Sequence, residues 1–395
     1  MSLAYRRTGL PRFVAESREE LVDNSSIGNW IFFISAMLSI IGLLFVVDTA
    51  FVFKGRFADS SALVKILKEL AFLLGGWICA MRVSRYDRRG LMLFGGALMA
   101  ASLVMLALVD FTPLGVERNG CRRWLNLYIC TIQPLEFFKL GLVLQLAAFI
   151  AATGNISKQG ILDILKPAVT IAVGLLLLLI QPNISAVGIV GIIGLLVALI
   201  SGLSGKRLIA LIGILVLLLL IAVVCFDRTG RFQGFFNRKA NASKHSYQVE
   251  MALKSQARGG GTGAGFANSI GKFDVPFNDS DFIYTIIVEE TGLLGGSVIT
   301  ILFAGLIYLI WRLARGQTEN YPLLVCLGIG VMLAVQAAVN IAVNLALMPP
   351  TGVPLPFISS GGSSLIITLV AVGILLNMAG GPASKPQGQL QAGRV

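Results

Sequence analysis

The chain has 395 residues and a mean hydropathy of +0.82, with 56% hydrophobic and only 13% charged residues, about half the charged share of a soluble domain. That composition excludes a water-soluble globular enzyme and assigns the length to membrane spans rather than to one large core. The net charge of +12 has to be sorted by side of the membrane, and no nucleic-acid-binding module accompanies it.

Residues 1–28 are polar, with Arg6, Arg7, Arg12 and Arg18 set against Glu16, Glu19, Glu20 and Asp23, and they lack apolar periodicity. They read as a cytoplasmic N-terminal tail. Ten apolar runs follow, near 30–53, 66–83, 91–111, 134–153, 165–181, 184–202, 207–226, 282–311, 321–347 and 362–380. Each has about the length a helix needs to cross a bilayer. The expected fold is an all-α polytopic membrane domain over 29–380, with a second cytoplasmic tail at 381–395. The first run is too long and too late for a cleaved secretory signal, so it is expected to stay attached as a span. Between the fifth and sixth runs, QPN at 181–183 predicts a tight hairpin at the membrane face. The five cysteines are scattered without metal-ligand or disulfide spacing, which suits small packing residues.

Basic residues in short loops set the orientation. With the tail inside, the inner segments carry sixteen Lys and Arg residues and the outer short loops seven. Both termini are therefore expected in the cytoplasm. The one long polar segment, 227–281 between spans seven and eight, is expected outside, where neither ATP nor a nucleotide sugar is at hand.

That segment holds eight basic and five acidic residues and a glycine-rich run, GGGTGAG at 259–265, whose backbone N–H groups can approach an anion closely. It ends at Asp281, on the lip of the eighth span. A site for a phosphorylated group fits this pattern; so does a solvated connection between two helices. Charges inside the spans need partners or water. Glu136 and Lys139 share one face of the first turn of the fourth span, as a structural pair or as part of a site. Glu289 and Glu290 lie two turns beyond Asp281, and at least one must face protein or water. In NGCRRWLNL at 119–127, Arg122, Arg123 and Trp124 suit either a phosphate or an interfacial anchor. After the ninth span, NIAVNLALMPPTGVPLPFISSGGSSL at 340–365 holds four prolines and three glycines. Such backbone is tolerated at membrane depth only where protein buries it or a wet cavity adjoins it.

These residues resemble the SEDS family (shape, elongation, division and sporulation). The long signature from Asn340 to Ser364 matches the family's N-x-x-x-N-x-x-x-x-P-x-T-G-x-x-L-P-F-x-S-x-G-G-S-S. NGCRRW, QPLEFFKL and DFIYTIIVEETGLLG match three further family segments, and NSIGK at 268–272 resembles the division-type more than the elongation-type members. There are departures. Phe277 and Asp279 stand where the family usually has a glutamate and a histidine, and Asn183 and Ser185 where it has an aspartate and a glycine. They predict an altered tuning of the site.

The resemblance implies polymerisation of lipid II into glycan strands on the outer face of the bacterial cytoplasmic membrane, beside a class B penicillin-binding protein and other divisome or elongasome membrane proteins. It implies that Asp281 is the essential aspartate and that Glu136, Lys139 and Trp124 surround a central cavity. Substrate contacts are implied at Arg122, Arg123, Trp124, Gln181, Asn183, Thr351, Pro356, Ser359, Ser360, Gly361 and Gly362. Joining sugars needs a base for the acceptor hydroxyl and a cationic partner for the leaving pyrophosphate. Asp281 is assigned the first role. Lys139, Arg122 and Arg123 are candidates for the second, and a divalent cation, Mg2+ or Mn2+, can assist. A lipid II flippase and a non-catalytic scaffold for the transpeptidase are the alternative functions; internal inverted repeats would favour the flippase, and none is evident.

The orientation is testable with single cysteines in a cysteine-free background. An impermeant maleimide should label a cysteine at Ser243 from outside and one at Ser204 only after the inner face is opened; the reverse pattern overturns the orientation.

Overall fold

The computed structural model describes residues 24–51, 60–118, 121–127, 130–153, 161–181, 183–200, 205–226 and 244–380. The terminal tails and residues 227–243 of the polar segment, with the labelling positions 204 and 243, lie outside the described residues.

Each of the ten apolar runs forms a helix: α1 (Asn24–Phe51), α2 (Ser60–Val83), α3 (Arg88–Phe111), α4 (Pro134–Thr153), α5 (Ile161–Ile180), α6 (Ile184–Ile200), α7 (Gly205–Phe226), then α10 (Ile283–Arg315), α11 (Asn320–Asn344) and α12 (Gly362–Gly380). Six of these, α1, α3, α4, α10, α11 and α12, are long and apolar enough to cross a membrane among the described residues. The polar segment contributes two more helices, α8 (Lys244–Gly259) and the short α9 (Gly271–Asp274). Ahead of α4 the chain adds a small antiparallel sheet to the otherwise helical fold, β1 (Gly115–Arg118), β2 (Cys121–Asn126) and β3 (Thr131–Ile132), in the order β1-β2-β3.

Small residues let the helices approach closely, which matters in a bilayer where lipid competes with apolar packing. A Cβ on Gly95 of α3 would lie 2.8 Å from the Leu144 Cβ of α4, and one on Gly76 of α2 would lie 2.6 Å from Leu369 of α12. The bundle has two distinct ends. At one end Asn24 donates to Gly316 O, Arg88 pairs with Glu319, and Asn377 donates to Ser84 O and Tyr86 O. The first and last described residues therefore share that end. At the other end lie the sheet, the hairpin at Gln181, α8 and the turns between α11 and α12, joined by contacts such as Gln133 N to Ser363 Oγ at 3.1 Å.

The eighth apolar run is not one straight helix. Gly292 has φ +71° and ψ −173°, which breaks α10 into two pieces. The backbone groups freed there are taken by the glycine-rich run: Ala264 N donates to Glu289 O at 2.9 Å, Gly265 N to Glu290 O at 3.0 Å, and Leu293 N to Gly260 O at 2.9 Å. The carboxylates are filled in the same way. Glu289 accepts from Ser255 Oγ, from Ser269 Oγ, from Arg258 Nε at 2.9 Å and from Gly271 N at 3.0 Å. Glu290 accepts from Ala267 N at 3.1 Å and pairs with the buried Lys272, which also pairs with Asp48 of α1. Of the two readings of the glycine-rich run, an anion site and a solvated connection, the anion site loses the N–H groups of Ala264 and Gly265, and the run is bonded to α10 rather than solvated. The N–H groups of residues 264, 265, 267 and 269–271 are used by the carbonyls and carboxylates of Glu289 and Glu290, because two acids within an apolar helix must be compensated.

At Gly292 an added Cβ would collide with the Gly261 carbonyl, whereas Gly260, with φ +53°, has open space around it. Gly292→Ala is expected to cost about 3 kcal/mol or more, and Gly260→Ala about 1 kcal/mol from backbone conformation alone. Thermal shift in detergent should rank the two variants in that order.

Candidate active site

The end of the bundle that carries the sheet encloses a cleft with about 300 Å³ of unfilled space, its open mouth included. Polar side chains from four parts of the chain line it: Arg123 of β2, Gln133, Glu136 and Lys139 at the head of α4, Asn183 and Ser185 at the head of α6, and Thr351 after α11. Two sequence signals explain the convergence. A proline opens α4, where its missing N–H costs nothing. Asn183 caps α6, its Oδ1 accepting from Ala186 N at 3.3 Å, a role that asparagine and aspartate fill equally well.

Glu136 and Lys139 form an ion pair at 2.8 Å, each side chain only 2% exposed. Glu136 also accepts from Gln336 Nε2 at 3.4 Å. The pair is thus both mutually neutralised and part of the cleft wall. Thr351 contributes a buried Oγ1 without a hydrogen-bond partner. Asp281 lies behind the next residue: a Cβ added to Gly352, at φ +67°, would sit 3.5 Å from Asp281 Oδ2. A side chain at this position would come into contact with the Asp281 carboxylate.

The other predicted site residues separate into those at the cleft and those that hold it. Adjacent residues of a strand point to opposite faces, and the two arginines divide accordingly. Arg123 lines the cleft, while Arg122 Nη2 donates to Thr112 O at 2.9 Å and Gly115 O at 3.1 Å, fastening the sheet to the end of α3. Trp124 pairs in register with Val116 and is absent from the lining, as is the buried Gln181. Ser359 Oγ donates to Ser280 O at 2.6 Å, and Ser360 N to Asp279 O at 2.8 Å, so both serines brace the turn before Asp281. Pro356 is buried in the loop between α11 and α12, and Gly361 and Gly362 open α12, with Gly362 against the ring of Phe72. Asp279, where the family usually has histidine, pairs with Lys65 of α2 at 2.5 Å.

Sequence reasoning overlooked Gln133, Gln336, Glu69 and Asp48. For Gln336 a signal existed: Gln336, Asn340 and Asn344 recur every four residues in an apolar run, a polar stripe on one helical face. All three are buried. Among the described residues no group of three or more His, Cys, Asp or Glu side chains gathers as a metal site.

The family model described as FTSW_RODA_SPOVE, cell cycle protein, matches residues 29–381. The chain belongs to this family. Among its relatives, a probable peptidoglycan glycosyltransferase FtsW of Coxiella burnetii is 30% identical over 355 residues, covering 89% of this chain and 95% of that protein. The stage V sporulation protein E of Bacillus subtilis is 31% identical over 355 residues, covering 88% and 95%. In a solved peptidoglycan synthase complex that coordinates polymerization and crosslinking, one chain superposes with a TM-score of 0.72 at 27% identity, covering 88% of this chain and 96% of that one. The rod shape determining protein RodA of Thermus thermophilus gives 0.64 at 27% identity, covering 88% and 95%. Family membership agrees with the helical membrane fold read from the sequence.

The buried pair gives a sharp test. With Glu136→Lys and Lys139→Glu combined, the two charges still meet one turn apart, and the Gln336 amide can turn over to face a lysine. The swapped protein is expected to fold and melt near the parent yet lose its activity, because the cation then stands one turn away from its place in the cleft wall. An active swapped protein would reduce the pair to a structural one.

Proposed function

We propose that the protein is a peptidoglycan glycosyltransferase of the cytoplasmic membrane, polymerising lipid II into glycan strands at the end of the bundle that carries the cleft, which faces outward. The observation that carries this reading is the position of Asp281 directly behind Gly352, a residue in the wall of the cleft that Lys139 and Arg123 also line, in a family whose relatives include proteins named as peptidoglycan glycosyltransferases.

The acceptor hydroxyl oxygen forms a bond to the anomeric carbon of the donor sugar, its proton passes to Asp281, and the bond from that carbon to the lipid diphosphate breaks. Charge accumulates on the diphosphate as it leaves, and Lys139 and Arg123 are placed to offset it. Arg122, committed to the carbonyls of Thr112 and Gly115, leaves the set of diphosphate ligands. Glu136 holds Lys139 in place and compensates its charge while the cleft is empty. A Mg2+ or Mn2+ ion bound with substrate would draw its oxygen ligands from the diphosphate and Asp281. A membrane transpeptidase of the penicillin-binding class B type is the crosslinking partner in this reading, and both tails lie in the cytoplasm.

Asp281→Asn keeps the side chain's size and hydrogen-bonding capacity but cannot take up the acceptor's proton. Purified with lipid II in detergent, the variant should melt like the parent and lose about a hundredfold or more of its polymerising rate. Asp279→Asn, which loosens only the part-exposed pair with Lys65, should stay near the parental rate, since such pairs contribute about 0–1 kcal/mol. A transporter or a scaffold would make no glycan in detergent even as the parent. Parental activity in Asp281→Asn would remove this residue from the base role.

A further inference from the structure

The turn formed by Asp279, Ser280 and Asp281 leads directly into α10, and a donor from elsewhere in the fold takes each of its three main-chain carbonyls. Asp279 O accepts from Ser360 N at 2.8 Å and Ser280 O from Ser359 Oγ at 2.6 Å. Asp281 O accepts from two side chains, Asn340 Nδ2 and Asn344 Nδ2, each at 3.0 Å. Both asparagines are buried on one face of α11. An amide in an apolar helix is costly unless its donors and acceptor are used, and here they are used on this turn and its neighbours.

Asn344 makes a second set of bonds from its other end. Its Oδ1 accepts from Thr285 N at 3.0 Å and from Thr285 Oγ1 at 2.8 Å. The cap position of α10 is Phe282, which offers no side-chain cap. Asn344 therefore supplies, from a different helix, the acceptor that a capping residue ordinarily gives to the first turn. Asn340 Nδ2 reaches Val353 O at 2.7 Å as well. Since Val353 follows Gly352, one amide group ties the Asp281 backbone to the strip of cleft wall that separates its carboxylate from the cleft.

We propose that Asn340 and Asn344 are positioning residues for the glycosyl transfer: through the Asp281 carbonyl they hold the Asp281 carboxylate in line with the cleft, without touching substrate themselves. This rests on the reading of Asp281 as the base. Proton transfer is steep in distance, and a displacement of about 1 Å can cost about a hundredfold in rate, so a tether on the base's own backbone has leverage on kcat. A role confined to helix stability would instead show as a loss of folded protein.

Asn344→Asp separates the two roles. It keeps an oxygen for Thr285 but presents a second oxygen, in place of the NH2 donor, to the carbonyls of Asp281 and Asn340. Thr285→Val does the converse, loosening the start of α10 while leaving both donors to Asp281 O in place. With purified full-length protein and lipid II, Asn344→Asp is expected to lower kcat about tenfold or more with KM within about twofold of the parent. Its Tm should fall no further than that of Thr285→Val, and Thr285→Val should keep kcat within about twofold. If Asn344→Asp does not fold, Asn340→Asp, which leaves the Thr285 bonds intact, carries the same expectation. Parental kcat in the folded aspartate variant, a loss carried by KM, or an equal kcat loss in Thr285→Val would overturn the proposal. Asp281→Asn, assayed alongside, tells the two levels apart: if it is active, the base reading fails, and if it is dead while Asn344→Asp turns over normally, only the positioning role fails.

Discussion

The rest of the structure depends on how two adjacent carboxylates are kept inside an apolar helix. Glu289 and Glu290 lie on α10 with essentially no solvent exposure, where an uncompensated charge would cost several kcal/mol. Compensation comes from the polar segment that precedes α10, through Ser255, Arg258, Ser269, Lys272 and a series of backbone N–H groups. The break at Gly292 belongs to the same arrangement, since it frees the backbone groups that residues 260–265 then bond. A polar, glycine-rich stretch that would otherwise be a loop is in this way locked onto a span. Lys272 extends the lock to Asp48 on α1.

The lock fixes the path by which the chain arrives at Asp281. Between α9 and α10 only a short turn remains, and its carbonyls are held by the loop between α11 and α12 and by two asparagines of α11. The same loop supplies Thr351 and Gly352 to the cleft. Asp281, the cleft wall and the start of α10 are thus tied to one another by short hydrogen bonds. Rigid support of this kind keeps a reacting group within a few tenths of an ångström of its place. Two pairings to α2, Lys65 with Asp279 and Glu69 with Ser360, hold the turn and the serine bonded to it.

Two sets of buried charges in this protein meet different fates for a chemical reason. Glu289 and Glu290 accept so many donors that little capacity is left over, which suits structure. Glu136 and Lys139 have fewer partners and face unfilled space. An ammonium group paired with a single carboxylate in a cleft keeps donors in reserve for a further acceptor.

The sequence by itself determined the membrane class, the ten helical runs, the presence of charges that had to be explained, and, through its long C-terminal signature, the family. These depend on composition and on short-range periodicity, which a single strand of text carries in full. What only the tertiary structure decided is which of those charges face one another. Period-two alternation puts Arg122 and Arg123 on opposite faces, but only the packing of the sheet on α3 and α4 says that Arg123 has the cleft. The glycine-rich run fitted an anion site or a solvated connection, and its Ala264 and Gly265 N–H groups are instead used by Glu289 and Glu290 on the following helix. Gln181 and Trp124 are not among the side chains that line the cleft, and the serines before α12 act on a backbone turn. Asn344 is the clearest case: its bonds to Asp281 and Thr285 join residues separated by 63 and 59 positions. A residue's own helix fixes the face it presents, but its partner across such a separation is set by how whole helices pack.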